Sequence, residues 1–322
     1  MEKQVKKPDV LIIGAGPAGL TAGIYAARLK LDTLILEDEL VGGQIRDASL
    51  IQNYPGFKRI SGSELIERMR EQSLVAGAKL DEFDRVLLAT LTRAEKKIET
   101  EGFIYYPKTL IIAAGMKQKE LPIREEKQFH GNGIHYCEIC DGHLYEGKEI
   151  AVVGGGSAAV GAAISLTKYA SRVTLIHRSG TLRADKKSQE ELFSNPKIKV
   201  MWNTKILGAF GDKQLQTLLI QEEADQDKRE MKMDGVFVYI GSLPRTEMYA
   251  QDLELDNYGN IVAGESCETN IPGVFAAGDV RTKKIRQLTT AVNDGTVAAL
   301  MAERYILELR RRDVYDKGVL NF

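Results

Sequence analysis

Two cysteines two residues apart, Cys137 and Cys140, lie in the run GIHYCEICDGH. Fourteen residues past the second of them begins a row of three glycines, Gly154 to Gly156. One further cysteine, Cys267, lies far away in GESCETN. Three cysteines are too few for a disulfide scaffold. In a reducing compartment a close pair points to redox chemistry or to metal binding. At the start of a helix such a pair favours the thiolate, because unpaired backbone N–H groups and the helix dipole stabilise negative charge on sulfur. The metal alternative has ligands of its own. His135 and His143 flank the cysteines, and two Cys with two His are tetrahedral zinc ligands in kind. Here all four are crowded into nine residues, whereas zinc folds draw their ligand pairs from separated segments. The redox reading is the stronger and no metal site is expected. His135 is read as a surface or packing residue, with tuning of the thiol pair as the alternative, and Cys267 as an ordinary small one.

The elements that must position this pair can be read around it. DVLIIGAGPAGLTAGIYAARL is a buried strand (Val10 to Ile13), a glycine turn and a helix. Gly14, Gly16 and Gly19 form G-x-G-x-x-G: the first permits the tight turn, the second lets a pyrophosphate approach the backbone, and the third lets helix and strand pack closely. A second strand, DTLILE, ends at Glu37, near the ribose-binding position of that fingerprint. The pattern recurs in KEIAVVGGGSAAVGAAISLTKYASRVTLIHR, with Gly154 and Gly156, and with Ala159 in the third place. One chain therefore carries two dinucleotide folds, as it would to pass a hydride from one to the other.

TLIIAAG (109–115) and GVFAAGDVR (273–281) read as strands of the first fold, and the segment after the latter reads as a helix with a small-residue face. The second fold is then an insertion in the first. The expected fold class is α/β, with two Rossmann-like three-layer domains. Residues 1–117 and 246–322 form the first and residues 118–245 the inserted one, joined by polar, breaker-containing crossings.

The 322 residues suffice for two such cores, with 43% hydrophobic and 28% charged residues. A net charge of -1 implies no bulk attraction to nucleic acid or to an anionic membrane. No apolar run reaches transmembrane length. The N-terminus, which enters its first strand almost at once, does not read as a signal peptide, so a cytoplasmic location is expected.

Taken together, GAGPAG (14–19), GGQI (42–45), NYPG (53–56), CEICDG (137–142), VVGGG (152–156), HR…R (177–183), FAAGDV (275–280) and RQ (286–287) resemble the low-molecular-weight thioredoxin reductases of bacteria and archaea. The likeness covers nearly the whole chain. It implies FAD in the split domain, a pyridine nucleotide in the inserted one, a homodimer, and thioredoxin or a relative as substrate. By position, Gly14, Gly16 and Gly19 would hold the FAD pyrophosphate and Glu37 its ribose. Gln44 and Asn53 would lie against the flavin, Asp279 near the ribityl and phosphate groups, and Arg286 and Gln287 beside the isoalloxazine ring. A loop or cap role is the alternative for Asn53 and Gln287. The resemblance makes Cys140 the sulfur that takes electrons from the flavin, Cys137 the nucleophile towards thioredoxin, and Asp141 the acid that moves the proton. A helix cap is the other reading of Asp141.

The chain departs from the family at the electron donor. Members using NADPH carry H-R-R-x-x-x-R, whose arginines grip the 2′-phosphate. Here HRSGTLR keeps His177, Arg178 and Arg183 but has Ser179 for the second arginine. Two glutamates usual at the start of the helix after the second glycine loop are replaced by Gly161 and Ala162. No acid follows the second strand to take the ribose hydroxyls of NADH. NADPH binding is expected to be weakened, unless Lys186 or Lys187 supplies the missing contact, and NADH, ferredoxin or another reduced carrier becomes a candidate donor. Three other enzyme or sensor readings are weaker. A peroxide-system reductase would have a long N-terminal extension with a second cysteine pair. A ferredoxin–NADP reductase of this fold would lack the C-x-x-C. A flavin-binding redox sensor would not need the complete CEICDG.

Overall fold

The computed structural model describes residues 3–48, 51–222 and 228–316. The chain divides into two compact units, residues 1–117 with 243–322, and residues 118–242.

In the first unit five strands form one parallel sheet in the order Val274–Ala276, Thr109–Ile112, Val10–Ile13, Thr33–Glu37, Lys79–Glu82. The three central strands are buried along their whole length, as the unbroken runs VLII, TLII and TLILE require of strands covered on both faces. One face carries the helices Pro17–Arg28, Gly62–Ala76 and Leu288–Asp316. The long last helix approaches the first closely through small residues. A Cβ at Gly295 would strike the backbone of Ala18 and Ala22, and Ala298, Ala299 and Ala302 are fully buried. The other face packs Val86, Ala89, Leu91, Ile98 and Tyr105 of a smaller sheet made by Leu88–Leu91, Lys96–Glu99, Phe103–Tyr105 and Gln4–Lys6.

The second unit repeats the plan. Its parallel order is Ile134–His135, Gly235–Val238, Glu149–Val153, Arg172–Ile176, Ile198–Met201. Helices Ser157–Leu166 and Lys186–Ser194 cover one face, and a three-stranded antiparallel sheet, Thr204–Gly211, Leu215–Glu222 and Lys228–Lys232, covers the other. The edge strand differs in origin. In the first unit it comes late in the chain and runs into Gly278–Asp279; in the second it comes first and runs into Cys137.

Candidate functional site

Both sheets reverse their strand order beside the glycine turn, the place where open α/β sheets bind ligands. In the first unit Gly14 (φ +102°) turns the chain, and a Cβ there would meet the carbonyl of Ala113 on the neighbouring strand. Gly16 caps the helix that begins at Pro17 and has open space where a side chain would stand. Such a helix start, with its unpaired N–H groups facing a bare glycine, suits a pyrophosphate. Glu37 closes the second strand. Its Oε2 accepts the Ala15 N–H at 2.7 Å, and its Oε1 accepts those of Asp38 and Glu39 at 3.0 and 3.2 Å. Burial raises this carboxyl above its ordinary value against the pull of the Ala15 bond.

Several other expected residues gather around this turn. The Gly42 N–H is held by the Ala15 carbonyl at 3.0 Å, which brings Gly43 against Gly16, and Gln44 Nε2 donates to the Met116 carbonyl at 2.6 Å. Asp279 follows Gly278 at the end of the edge strand. Its Oδ1 is buried and has no hydrogen-bond partner among the described residues. Burial raises its carboxyl above the ordinary range, opposed by the charges of Lys283 and Arg286. Arg286 donates to the Asp279 carbonyl and, through Nη2, to Asn260 Oδ1 at 3.0 Å. Gln287 precedes the long helix, with its N–H held by Thr290 Oγ1 at 3.1 Å. Asn53 is exposed in the loop closed by the Ile51–Ile60 bridge, and no bond ties it to the other residues.

Sequence reasoning missed Asp294, whose carboxylate is buried under this turn. It accepts from the Gly278 N–H at 2.9 Å and from Arg281 and Lys283, each at 2.8 Å. Its spacing from Gly278 is legible only once the long helix is laid on the sheet. Cys267 is fully buried nearby, with its Sγ 3.6 Å from the Asp294 carbonyl.

In the second unit Cys137 and Cys140 form a disulfide, with Cα atoms 5.3 Å apart. The expected helix is a single turn, Glu138–Asp141. Cys137 is its N-cap, and the Cys140 N–H points to Cys137 Sγ at 3.2 Å. One turn carries little dipole, so this directed N–H is the main local support for a thiolate on Cys137. The two residues between the cysteines are not passive. Glu138 is anchored to Tyr239, whose hydroxyl donates to the Glu138 carboxylate and accepts the Glu138 N–H at 2.9 Å. Tyr239 directly follows the strand beside Gly154, in the place that Ala113 holds beside Gly14.

His135 does not lie at the surface; of the roles expected of it, packing and a place beside the thiol pair are the ones its position allows. It is buried. Its Nδ1 lies 3.1 Å from Asp141 Oδ2 and its Nε2 lies 2.6 Å from the Tyr145 hydroxyl. Asp141 is therefore the partner of a buried histidine and not a cap. Only the two-residue strand that pairs His135 with Phe237 makes the arrangement visible, and propensity gives no warning of so short a strand.

The second glycine turn keeps open space at Gly156 and at Gly161. A Cβ at Gly154 (φ +149°) would strike the Tyr239 carbonyl. His177 closes the second strand and is buried. A Cβ at Gly155 would overlap its imidazole ring, and its Nε2 lies 3.1 Å from the Thr181 carbonyl. Burial lowers its pKa, helped by the Arg183 and Arg178 charges, so it is neutral at pH 7. The Arg183 N–H donates to the Gly155 carbonyl at 2.7 Å, folding the 177–183 loop onto the turn. Arg178, Ser179, Arg183, Lys186 and Lys187 are all exposed, and none of the four cations makes an ion pair among the described residues.

The family model for pyridine nucleotide-disulphide oxidoreductases matches residues 8–295. A Clostridium pasteurianum protein described as a 34.2 kDa protein in the rubredoxin operon is 53% identical over 94% of this chain and 99% of its own length. The thioredoxin reductase of Bacillus subtilis strain 168 is 39% identical over 94% of this chain and 96% of its own. The crystal structure of thioredoxin reductase from Streptococcus pyogenes MGAS5005 superposes with a TM-score of 0.90 at 37% identity, covering 94% of this chain and 99% of that one. The chain belongs to the pyridine nucleotide-disulphide oxidoreductases and, within them, to the low-molecular-weight thioredoxin reductases.

Proposed function

We infer that this protein is an FAD-dependent enzyme that reduces the disulfide of thioredoxin or a thioredoxin-like protein. The observation that carries the reading is the Cys137–Cys140 disulfide in one turn with Asp141, in a chain whose other unit keeps a dinucleotide cradle.

FAD fits the first unit. Gly16 leaves room for the pyrophosphate, Glu37 offers a ribose diol a carboxylate held in place by three N–H groups, and Asp279 Oδ1 awaits a donor. Bound FAD supplies the electron pair that opens the Cys137–Cys140 disulfide. Cys140 is assigned the sulfur that receives it. Cys137, its thiolate supported by the Cys140 N–H, attacks one sulfur of the substrate disulfide and releases the other as thiolate. Cys140 then attacks Cys137 Sγ, closing the enzyme's disulfide and freeing the second substrate thiolate. Asp141 takes the Cys140 proton and returns it to the departing sulfur. We expect a homodimer working in the cytoplasm; no helix among the described residues is long and apolar enough to cross a membrane.

For the donor we propose a reduced carrier protein such as ferredoxin, ahead of NADPH. His177 covers Gly155 at the position of a ribose-binding acid, Ser179 stands in for an arginine, and Gly161–Ala162 replace two glutamates. The relative described by its rubredoxin operon accords with a protein carrier. NADPH remains the second reading, supported by the unpaired Arg178, Arg183, Lys186 and Lys187. The purified protein should carry one FAD per chain and reduce thioredoxin. Anaerobic flavin bleaching by NADPH, NADH and reduced ferredoxin, compared as rates, chooses the donor. A colourless protein unable to bind added FAD overturns the whole reading, and fast bleaching at micromolar NADPH overturns the carrier.

A further inference from the structure

Directly beneath the redox pair runs a chain of three polar groups, Asp141, His135 and Tyr145. His135 Nδ1 is 3.1 Å from Asp141 Oδ2, and His135 Nε2 is 2.6 Å from the Tyr145 hydroxyl. The His135 side chain is 4% exposed and that of Asp141 22%, so the chain leads from the edge of the redox turn into the core.

Nothing in this chain is free to rotate. The His135 ring stacks on Phe237 with centroids 5.3 Å apart and planes 27° apart, and Tyr145 stands edge-on to both rings. A Cβ at Gly235 would overlap Tyr145, and one at Gly142, next to Asp141, would crowd Leu166 and Tyr169. These two glycines leave the tyrosine and the turn room to close on the histidine. Burial, with the nearby charges of Asp141 and Asp234, raises the Tyr145 pKa, so its hydroxyl stays protonated and can donate to Nε2. Nδ1–H then donates to Asp141. That bond holds the carboxylate.

We propose that His135 is the positioning residue of the redox centre. It fixes Asp141 through Oδ2, so that Oδ1 does the proton exchange with sulfur. The proposal rests on the disulfide-exchange reading above. Its proton balance is that of the exchange itself: the proton leaving Cys140 as Cys140 attacks Cys137 Sγ is the one the departing thiolate receives, and Asp141 carries it between the two events while His135 holds the carboxylate in place. The titratable and charged groups that face it are Asp141 and Tyr145 in direct contact, Asp234 and Lys148 beyond Tyr145, the latter 5.3 Å from its ring, and the Glu138–Tyr239 pair beside Asp141. The strand Gly235–Val238 presents only the neutral Phe237 ring.

The test follows exchange from the pre-reduced full-length holoenzyme, at pH 5 to 9, to thioredoxin and in parallel to 2-hydroxyethyl disulfide. His135→Phe keeps the ring and removes both bonds. His135→Asn keeps a donor near the Nδ1 position. With flavin content and thermal unfolding as the check on folding, His135→Phe should slow exchange about tenfold or more near neutral pH and shift the pH profile, and His135→Asn should recover most of the rate. Because His135 acts through Asp141, the double variant Asp141→Asn with His135→Phe should be no slower than Asp141→Asn alone. A His135→Phe enzyme with the parent pH profile, or losses that multiply in the double variant, overturns the proposal. If the parent protein reduces the small disulfide but not thioredoxin, the substrate reading fails, and the small disulfide still decides the role of His135.

Discussion

Glu37 and His177 occupy the same position in the two folds. Each directly follows the strand residue paired with the last residue of the first strand: Leu36 pairs with Ile13, and Ile176 pairs with Val153. Glu37 turns its carboxylate back onto the glycine turn and holds the Ala15 N–H, whereas His177 lays a neutral ring on Gly155. The first turn is thus shaped for a ribose diol, and at the second the acceptor has become a packing group.

That difference bears on the proposed choice of electron donor. Ser179→Arg adds one charge-assisted contact, which corresponds to about 1.5–3 kcal/mol or roughly ten- to a hundredfold in affinity. His177 would still cover Gly155, and Gly161–Ala162 would still lack the two carboxylates. We therefore expect Ser179→Arg to tighten NADPH binding without bringing anaerobic flavin bleaching to the rate given by a protein carrier. Bleaching by NADPH at that rate in the single variant would mean that the missing arginine was the whole defect.

The cysteines can be told apart by trapping. In Cys140→Ser the attacking sulfur Cys137 remains and nothing resolves the mixed disulfide, so thioredoxin should accumulate as a covalent adduct on a non-reducing gel. Cys137→Ser should give no such adduct, and both variants should lose turnover. Adduct formation by Cys137→Ser alone would reverse the assigned roles. Since the Cys140 N–H that supports Cys137 is a backbone group, it survives the Cys140→Ser exchange.

The parts of this architecture that follow from local rules were legible. The apolar runs at Val10–Ile13, Thr109–Ile112 and Glu149–Val153, each ending on small residues, read directly as buried parallel strands. The glycine turns read as nucleotide sites because the chemistry needs a bare backbone there. Less was legible where partners are distant in sequence. Glu138 and Tyr239 are 101 residues apart, and the Asp294 carboxylate reaches the Gly278 N–H across 16 residues of turn and helix. The partners of His135 were not legible, because only a one-turn helix followed by a 3₁₀ turn brings Asp141 and Tyr145, six and ten residues on, back to it. The insertion of one fold in the other was proposed from the repeated pattern alone; the compact units of the structure meet at 117/118 and 242/243.

Asp294 supports the turn that carries Asp279. Burial opposes its ionisation, but the hydrogen bonds from Arg281 and Lys283 outweigh this and hold its carboxyl below the ordinary range. A depressed carboxyl contributes stability that is complete above its unfolded value of about 3.9 and lost as pH falls through the folded one. The protein should therefore lose stability on acidification below about pH 4, and Asp294→Asn should flatten that limb. Asp294→Ala leaves Arg281 and Lys283 buried without their counter-ion and should cost about 3–5 kcal/mol in urea unfolding, together with FAD retention. Unchanged urea and acid midpoints in both variants would show that the cluster does not hold the turn.

The third cysteine should be chemically silent. Cys267 is fully buried, and burial, reinforced by the Asp294 charge, pushes its thiol up to about 11. At pH 8 only about one molecule in a thousand would carry the thiolate there. Cys137 and Cys140 are partly exposed. Titration of the reduced protein with an aromatic disulfide at pH 8 should release two equivalents quickly and the third only in denaturant. The fast phase should vanish after reoxidation of the Cys137–Cys140 pair, with the slow equivalent unaffected. A third fast equivalent in the folded protein would place Cys267 within reach of solvent, and the packing of the Gly264–Asp294 region would then have to open in solution. Because the Asp294 carboxylate holds Arg281 and Lys283, whose charges lie beside Cys267, the Asp294→Ala variant should loosen this cluster and be the one that makes the thiol react in the folded state, so a single reagent reads out both the redox pair and the integrity of the turn behind it.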